Sequence, residues 1–221
     1  MFEKIFIEES VKDLEYTKRI VNSFPKTELK IINKVEDVWG RVKKPYLQKR
    51  DTLNLFIGKK EGTLVKETPD AYGIGNEKHY YFIHAYNCIY ECQYCYLQGY
   101  FNTPDIVLFV NHREIIEQMQ NLVDINSDAW FHAGEYSDSL ALSHLTNEWD
   151  EYWDFFKRNP NSKLELRTKS VNLKSIISLE PLKNVFISFT LTGHKEGKTY
   201  DLRTPSIKAR LSAINKLVDK G

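Results

Sequence analysis

Three cysteines, Cys88, Cys92 and Cys95, are the residues whose type and spacing most clearly offer chemistry, and the chain has no others. They are separated by three and then two residues, so they do not share one face of a regular helix or strand. A short irregular loop can turn all three thiols inward around one inorganic centre. A 4Fe-4S cluster is usually held by four cysteine thiolates. With three thiolates, one iron is left free to bind a small molecule.

Zinc is the alternative occupant of these thiols. A structural zinc site has four protein ligands, and the sequence has no fourth cysteine, so a histidine such as His84 would have to complete it. Both metal sites are compatible with the spacing alone. Three cysteines in one loop argue against a disulfide scaffold and for a reducing cytoplasm.

From residue 80 the sequence alternates between predicted strands and helices, which indicates an α/β fold with a parallel sheet. The predicted repeat strands are Tyr80–Ile83, Ala129–Phe131, Lys163–Arg167 and Val185–Phe189. Each is followed by polar residues, which are the cysteine loop, Gly134–Asp138, Thr168–Lys169 and Thr190–Thr192. Active centres of parallel sheets lie at the carboxyl ends of the strands. The sequence therefore predicts that these four segments meet.

We predict two domains, an N-terminal α/β unit with a linker over residues 1–75 and the repeat unit over 76–221. The N-terminal strands are predicted at Lys4–Ile7, Leu29–Ile32 and Leu53–Ile57, and a further extended segment at Ile106–Val110. Leu173, Ile176 and Ile177 predict a short helix before the fourth repeat strand, and a last helix begins near Ser206. Four repeats end where a fifth strand would begin. We expect either a truncated protein or a further chain segment that completes the sheet.

The charges are strongly segregated. Residues 26–60 carry ten basic and four acidic side chains, and residues 157–221 carry fourteen basic and five acidic ones. Residues 114–154 carry ten acids and no Lys or Arg. Basic surface suits a nucleic-acid partner, whereas charge balancing between neighbouring helices explains the pattern equally well. No apolar run reaches the roughly 18 residues of a membrane span.

The sequence resembles the spore photoproduct lyase family of radical S-adenosylmethionine enzymes over nearly its whole length. The C-x3-C-x2-C spacing with Tyr94 before the last cysteine is the radical S-adenosylmethionine signature, and Cys88–Gln98 resembles the family's own loop. Shorter similarities are Ile5–Glu8, Leu14–Tyr16, Ser137–Asp138, Thr168–Lys169, the strand through Ser188, Thr204–Pro205 and Arg210–Leu211.

The resemblance implies a partial (β/α)6 barrel, here apparently truncated after four βα repeats, that binds a 4Fe-4S cluster and S-adenosylmethionine. Reductive cleavage of the cofactor would give a 5′-deoxyadenosyl radical. It implies Tyr96 as a hydrogen relay, with ring packing as the alternative role. The expected cofactor-binding residues are Tyr94, Glu135, Ser137, Lys169, Ser188 and Thr190. Loop capping, solvated lysine and ordinary strand residues are the alternatives for these positions.

One position departs from the family. Lyases that repair the methylene-bridged thymine dimer carry a hydrogen-donor cysteine after the second repeat strand, where this sequence has Glu135. A carboxylate cannot replace a thiol as hydrogen donor. Gly134-Glu135 resembles instead the Gly-Glu element with which other radical enzymes hold the methionine amino group.

Two function classes follow. The first is a cytoplasmic radical enzyme, lyase-like and related to DNA repair, with a nucleic-acid substrate and an electron donor such as flavodoxin or ferredoxin. The second is a non-catalytic Fe-S or zinc protein that binds nucleic acid through its basic segments.

Overall fold

The computed structural model describes residues 2–40, 52–69 and 77–221. The strands are β1 (Phe2–Glu8), β2 (Glu28–Ile32), β3 (Leu53–Gly58), β4 (Val65–Glu67), β5 (His79–Phe82), β6 (Ala85–Tyr86), β7 (Glu91–Cys92), β8 (Ile106–Phe109), β9 (Trp130–Ala133), β10 (Lys163–Thr168), β11 (Val185–Phe189) and β12 (Asp201–Leu202). The helices are α1 (Glu15–Asn22), α2 (Val35–Val38), α3 (Leu97–Tyr100), α4 (His112–Val123), α5 (Ser143–Thr146), α6 (Trp149–Arg158), α7 (His194–Tyr200) and α8 (Ile207–Val218). Across these described ranges, no helix combines the length and apolar character of a membrane span.

The first sheet has the strand order β2-β1-β3-β8-β6, with four parallel strands and β6 antiparallel to β8. Its centre is apolar because Ile5, Leu55, Ile57 and Ile106 are fully buried. Strand β8 is the extended segment predicted at Ile106–Val110, and it pairs with β3. The sheet therefore takes strands from both sides of residue 75. The proposed division falls outside the described residues and stays a prediction.

The second sheet contains the four predicted repeat strands. Its order is β11-β10-β9-β5-β4, in which β5, β9, β10 and β11 are parallel and β4 is antiparallel to β5. Phe131 and Leu164 project from one face and are fully buried in the same apolar cluster as Trp149, Phe155 and Phe156 of α6. The α/β fold with parallel strands is confirmed, and the aromatic residues of α6 are core residues.

The prediction of a short helix at Leu173–Ile177 is wrong. The segment forms turns, in which the N–H groups of Ile176 and Ile177 donate to the Leu173 carbonyl oxygen at 3.0 and 2.8 Å. Just before it, Ser170 Oγ accepts from the Asn172 N–H at 3.0 Å, and Asn172 Oδ1 accepts from the Lys174 N–H at 3.3 Å. Such local side-chain bonds compete with a helix. Leu173 and Ile176 are nevertheless buried, as their apolar spacing suggests.

The last helix is where the sequence places it. Helix α8 begins after Ser206, whose Oγ accepts a hydrogen bond from the Ala209 N–H at 3.2 Å. Before it lie two elements that the sequence did not indicate, helix α7 and strand β12. Strand β12 pairs antiparallel with β7 inside the cysteine loop. The segment just before α8 thus contacts the segment that carries the thiols.

Candidate functional site

The three cysteines lie on an irregular loop that follows β6 and leads into α3. Cys92 is buried, Cys88 and Cys95 are half-buried, and none forms a disulfide. The loop turns tightly, because the Cys95 N–H donates to the Cys92 carbonyl oxygen at 3.0 Å and the Tyr90 N–H donates to Cys88 Sγ at 3.5 Å. All three side chains belong to one small cluster with Tyr90 and Ala141. Their thiols are therefore gathered in one place.

A cavity of about 340 Å³ joins this loop to the carboxyl ends of β9, β10 and β11. It is lined by every residue that the sequence predicted for the site except Tyr94 and Ser188. The lining residues predicted from sequence are Cys88, Cys92, Cys95, Tyr96, Glu135, Ser137, Lys169 and Thr190. Further lining residues include Tyr90, Gly134, Asp138, Arg167 and Thr168. The strand ends therefore meet at the cysteines, as a parallel sheet requires.

Tyr94 and Ser188 lie outside this lining. The Tyr94 hydroxyl donates to Asp201 Oδ1 at 2.5 Å, and the Lys169 ammonium lies 5.4 Å from the centre of the Tyr94 ring. Burial raises the pKa of the Tyr94 phenol. The Ser188 hydroxyl donates to Glu165 Oε1 at 2.7 Å. Tyr94 thus lies behind Lys169, which lines the cavity, whereas Ser188 belongs to a separate polar network on the sheet.

That network connects the sheet to the cavity. His79 Nδ1 lies 2.9 Å from His132 Nε2, and His132 Nδ1 lies 2.6 Å from Glu165 Oε2. The hydrogen bond from His132 lowers the pKa of Glu165. Arg167 lies between the carboxylates of Glu165 and Glu135. Its Nε is 3.7 Å from Glu165 Oε2, and its Nη2 is 2.8 Å from Glu135 Oε2. The alternation of Glu165 and Arg167 along β10 is a sequence signal for this network.

Glu135 is held from two sides. Arg167 fixes its carboxylate, and the Tyr96 hydroxyl donates to its backbone carbonyl oxygen. Burial, followed by the charge of Glu135, raises the pKa of Tyr96. The phenol thus lies beside the cysteine loop with its hydroxyl directed at Glu135.

Asp138 is the residue whose importance the sequence did not reveal. It is half-buried, and its Oδ1 accepts hydrogen bonds from the Leu140 and Ala141 N–H groups at 3.0 and 2.9 Å and from Thr168 Oγ1 at 2.7 Å. Its Oδ2 accepts from the Lys169 N–H at 2.7 Å. One carboxylate thus ties the loop after β9 to the end of β10. Burial raises its pKa, and these donors oppose that shift.

Gly134 is required by the backbone at the same point. Its φ is +86°, and a Cβ there would lie 2.7 Å from Ser139 Oγ and 3.1 Å from the Arg167 carbonyl oxygen. Any side chain would be both strained and crowded. Glycine therefore allows the loop after β9 to turn toward the cysteines.

The thiols favour a metal centre of a particular kind. Burial raises the pKa of Cys88 and of Cys92, so both thiols hold their protons until a metal displaces them. Over the described ranges, no three His, Cys, Asp or Glu side chains converge closely enough to hold one metal ion. Three thiolates without a fourth protein ligand would suit a 4Fe-4S cluster that keeps one iron free.

His84, the histidine considered for a zinc site, is buried elsewhere. Its Nδ1 lies 3.7 Å from Glu148 Oε1, and its ring lies 5.7 Å from that of Trp149. It is not one of the residues that line the cavity. The cysteine loop therefore does not gain a fourth ligand from His84.

Comparison with known proteins agrees with this geometry. The sequence matches the family model of spore photoproduct lyase over residues 1–221. A solved spore photoproduct lyase complexed with dinucleoside spore photoproduct is 19% identical with a TM-score of 0.82. A spore photoproduct lyase mutant with bound AdoMet and dinucleoside spore photoproduct is 20% identical with a TM-score of 0.83, and another mutant with dinucleoside spore photoproduct is 20% identical with a TM-score of 0.85.

These structures extend beyond the present chain. Each match covers 100% of this chain and 65% of the solved one, so the chain spans about two-thirds of the length of its structural relatives. No curated protein gives a significant match by sequence. Since the family model covers every residue of the sequence, the chain belongs to the spore photoproduct lyase family.

Proposed function

We propose that this chain is a radical S-adenosylmethionine enzyme of the lyase type, in which Cys88, Cys92 and Cys95 hold a 4Fe-4S cluster. The observation that carries the proposal is the single cavity that the three thiols share with the polar ends of three parallel strands. Three thiolates leave one iron for a small molecule. A zinc site would need a fourth protein ligand, and His84, the candidate from the sequence, does not line this cavity.

The cofactor site is formed by groups that suit an amino acid moiety. Glu135 and Ser137 offer acceptors for an ammonium group, and Lys169 and Thr190 offer donors for a carboxylate. A solved relative is described with bound AdoMet. When bound and reduced, the cluster supplies the electron that cleaves S-adenosylmethionine to methionine and a 5′-deoxyadenosyl radical. The chain orients the cofactor and excludes water from it.

Tyr96 is proposed to relay a hydrogen atom. Its phenol lines the cavity, and its hydroxyl, which is protonated at neutral pH as in any tyrosine, donates to the Glu135 carbonyl oxygen. Glu135 replaces the family's donor cysteine, and all three cysteines of the sequence are assigned to the cluster. We therefore infer that the chain cleaves S-adenosylmethionine without repairing spore photoproduct.

The substrate is proposed to be a nucleic acid or a part of one. Solved relatives are described with dinucleoside spore photoproduct. Tyr94, Tyr96 and Tyr100 are 54%, 52% and 55% exposed beside the cavity, and aromatic rings of this kind stack on bases. Residues 157–221 carry an excess of basic side chains, which suits a phosphate backbone. Residues 41–51 of the other basic segment, 26–60, lie outside the described residues.

The remaining parts of the proposal follow from the family. We propose a partial (β/α)6 barrel over 76–221, a reducing cytoplasmic location, and an electron donor such as flavodoxin or ferredoxin. The parallel order of β5, β9, β10 and β11 supports the barrel.

Anaerobic reconstitution with iron and sulfide tests the function. The wild-type protein should bind the cluster and, with dithionite and S-adenosylmethionine, release 5′-deoxyadenosine. Cys88→Ala, Cys92→Ala and Cys95→Ala should each lose the chromophore. With a dinucleotide photoproduct, chromatography should show no repaired dinucleotide. Bound zinc without any response to S-adenosylmethionine would instead favour a non-catalytic protein.

A further inference from the structure

The segment before α8 covers the cysteine loop and is bonded to it at several points. Strand β12 pairs with β7 so that Asp201 lies opposite Cys92 and Leu202 opposite Glu91. The Gln93 N–H donates to the Tyr200 carbonyl oxygen at 2.8 Å. A proposed cluster ligand is therefore in direct backbone register with Asp201.

Asp201 adds side-chain bonds to this pairing. Its side chain is 1% exposed. Its Oδ1 accepts from the Tyr94 hydroxyl at 2.5 Å, and Tyr94 directly precedes Cys95. Its Oδ2 accepts from Thr192 Oγ1 and from Arg210 Nη1, each at 2.9 Å. Asp201 thus connects the middle of the cysteine loop to the end of β11 and to α8.

Arg210 is buried to the same degree and has several other acceptors. Its Nη1 also donates to the Thr190 carbonyl oxygen at 3.0 Å, and its Nε donates to the Pro205 carbonyl oxygen at 3.0 Å. Its Nη2 donates to Thr204 Oγ1 at 2.5 Å. Thr190 lines the cavity, so Arg210 contacts the cofactor wall as well as the partner of the cysteine loop.

A buried ion pair is weak support for stability, since desolvation offsets the attraction between its charges. The Asp201–Arg210 pair instead fixes the relative positions of the segments that it connects. We propose that Asp201 and Arg210 are positioning residues that hold the cysteine loop and Thr190 in the arrangement needed to bind the cluster and its cofactor. This inference rests on the proposed function. It assigns to α8, which carries no cluster ligand, a direct part in forming the site.

Two variants separate positioning from folding. Asp201→Asn removes the charge and keeps the size, and Tyr94→Phe removes only the hydroxyl that bonds Asp201. Arg203→Gln is the matched control, because Arg203 Nε lies 3.4 Å from Glu91 Oε1 in a more exposed ion pair across the same two strands. Each protein is reconstituted anaerobically. Iron and sulfide content, the rate of iron loss to a chelator, and the melting temperature before reconstitution are then measured.

We expect Asp201→Asn to lose iron roughly 10-fold faster than wild type, as changes behind metal ligands typically cost 10–100-fold in affinity. Tyr94→Phe should lose iron several-fold faster while remaining folded before reconstitution, and Arg203→Gln should match wild type. If Asp201→Asn does not fold, Tyr94→Phe decides, and wild-type iron retention in it overturns the proposal. Failure of the wild-type protein to bind a cluster would instead refute the proposed function.

Discussion

Replacing Asp138 by Asn tests whether one carboxylate holds two walls of the cavity together. All of its partners are donors, namely three N–H groups and the Thr168 hydroxyl. The new amide has only one acceptor atom, so its nitrogen must face a donor in either orientation. The less costly orientation turns the nitrogen toward the Lys169 N–H, because the other would lose three bonds.

The expected cost follows from that lost bond. A hydrogen bond to a charged group contributes about 1.5–3 kcal/mol. Removing the buried charge returns part of this, since burial disfavours ionised Asp138 and raises its pKa. We expect the free energy of unfolding to fall by about 2 kcal/mol, which lowers the melting temperature by roughly 4–8 °C for a chain of this length.

The assay is thermal unfolding of the protein before reconstitution, followed by circular dichroism. Asp154→Asn is the control, because Asp154 is exposed on α6 and its replacement should change stability by less than about 0.5 kcal/mol. In the reconstituted protein, Asp138→Asn should also weaken S-adenosylmethionine binding, since Lys169 loses an anchor. A melting temperature within about 1 °C of wild type would refute this account of Asp138.

Three further predictions follow. Gly134→Ala should destabilise the protein by about 1–3 kcal/mol more than Gly62→Ala, since both have positive φ but only Gly134 is crowded, as denaturant titration would show. Burial lowers the pKa of His112 from its usual 6.5 to about 4 in the folded protein. Between these two pH values the unfolded protein therefore binds more protons than the folded one. The contribution of His112 to the free energy of unfolding should fall by about 2 kcal/mol from pH 7 to pH 5, and His112→Gln should remove that fall. Glu135→Gln should weaken S-adenosylmethionine binding in calorimetry without reducing the iron content, and equal affinity would exclude Glu135 from the site.

The sequence predicted those features that depend on local pattern. The cysteine spacing indicated an irregular loop, and apolar runs with polar ends indicated the parallel repeat strands and the cavity at their ends. The run at Ile106–Phe109 showed its strand character but not its neighbour, because its all-apolar residues suit either sheet. Periodicity at Leu173–Ile177 predicts burial correctly and conformation wrongly, because Ser170 and Asn172 accept local backbone hydrogen bonds that compete with a helix.

Other features depend on contacts between distant parts of the chain. Strands β7 and β12 have two residues each, too few for any periodic signal. Asp201 and Arg210 lie more than 100 residues from Tyr94, and only folding brings them to it. Asp138 was recognised as a polar residue at a strand end, but its four donors come from two separate segments. Long-range polar contacts of this kind leave no local pattern in the sequence.

Electron paramagnetic resonance of the anaerobically reconstituted, dithionite-reduced protein tests the central claim most directly. The claim is that the cysteine loop and the strand ends form one site for a cluster and S-adenosylmethionine. We predict the signal of a reduced 4Fe-4S cluster whose spectrum changes when S-adenosylmethionine is added, with loss of the signal in Cys92→Ala. A reduced cluster whose spectrum is identical with and without S-adenosylmethionine would contradict the claim.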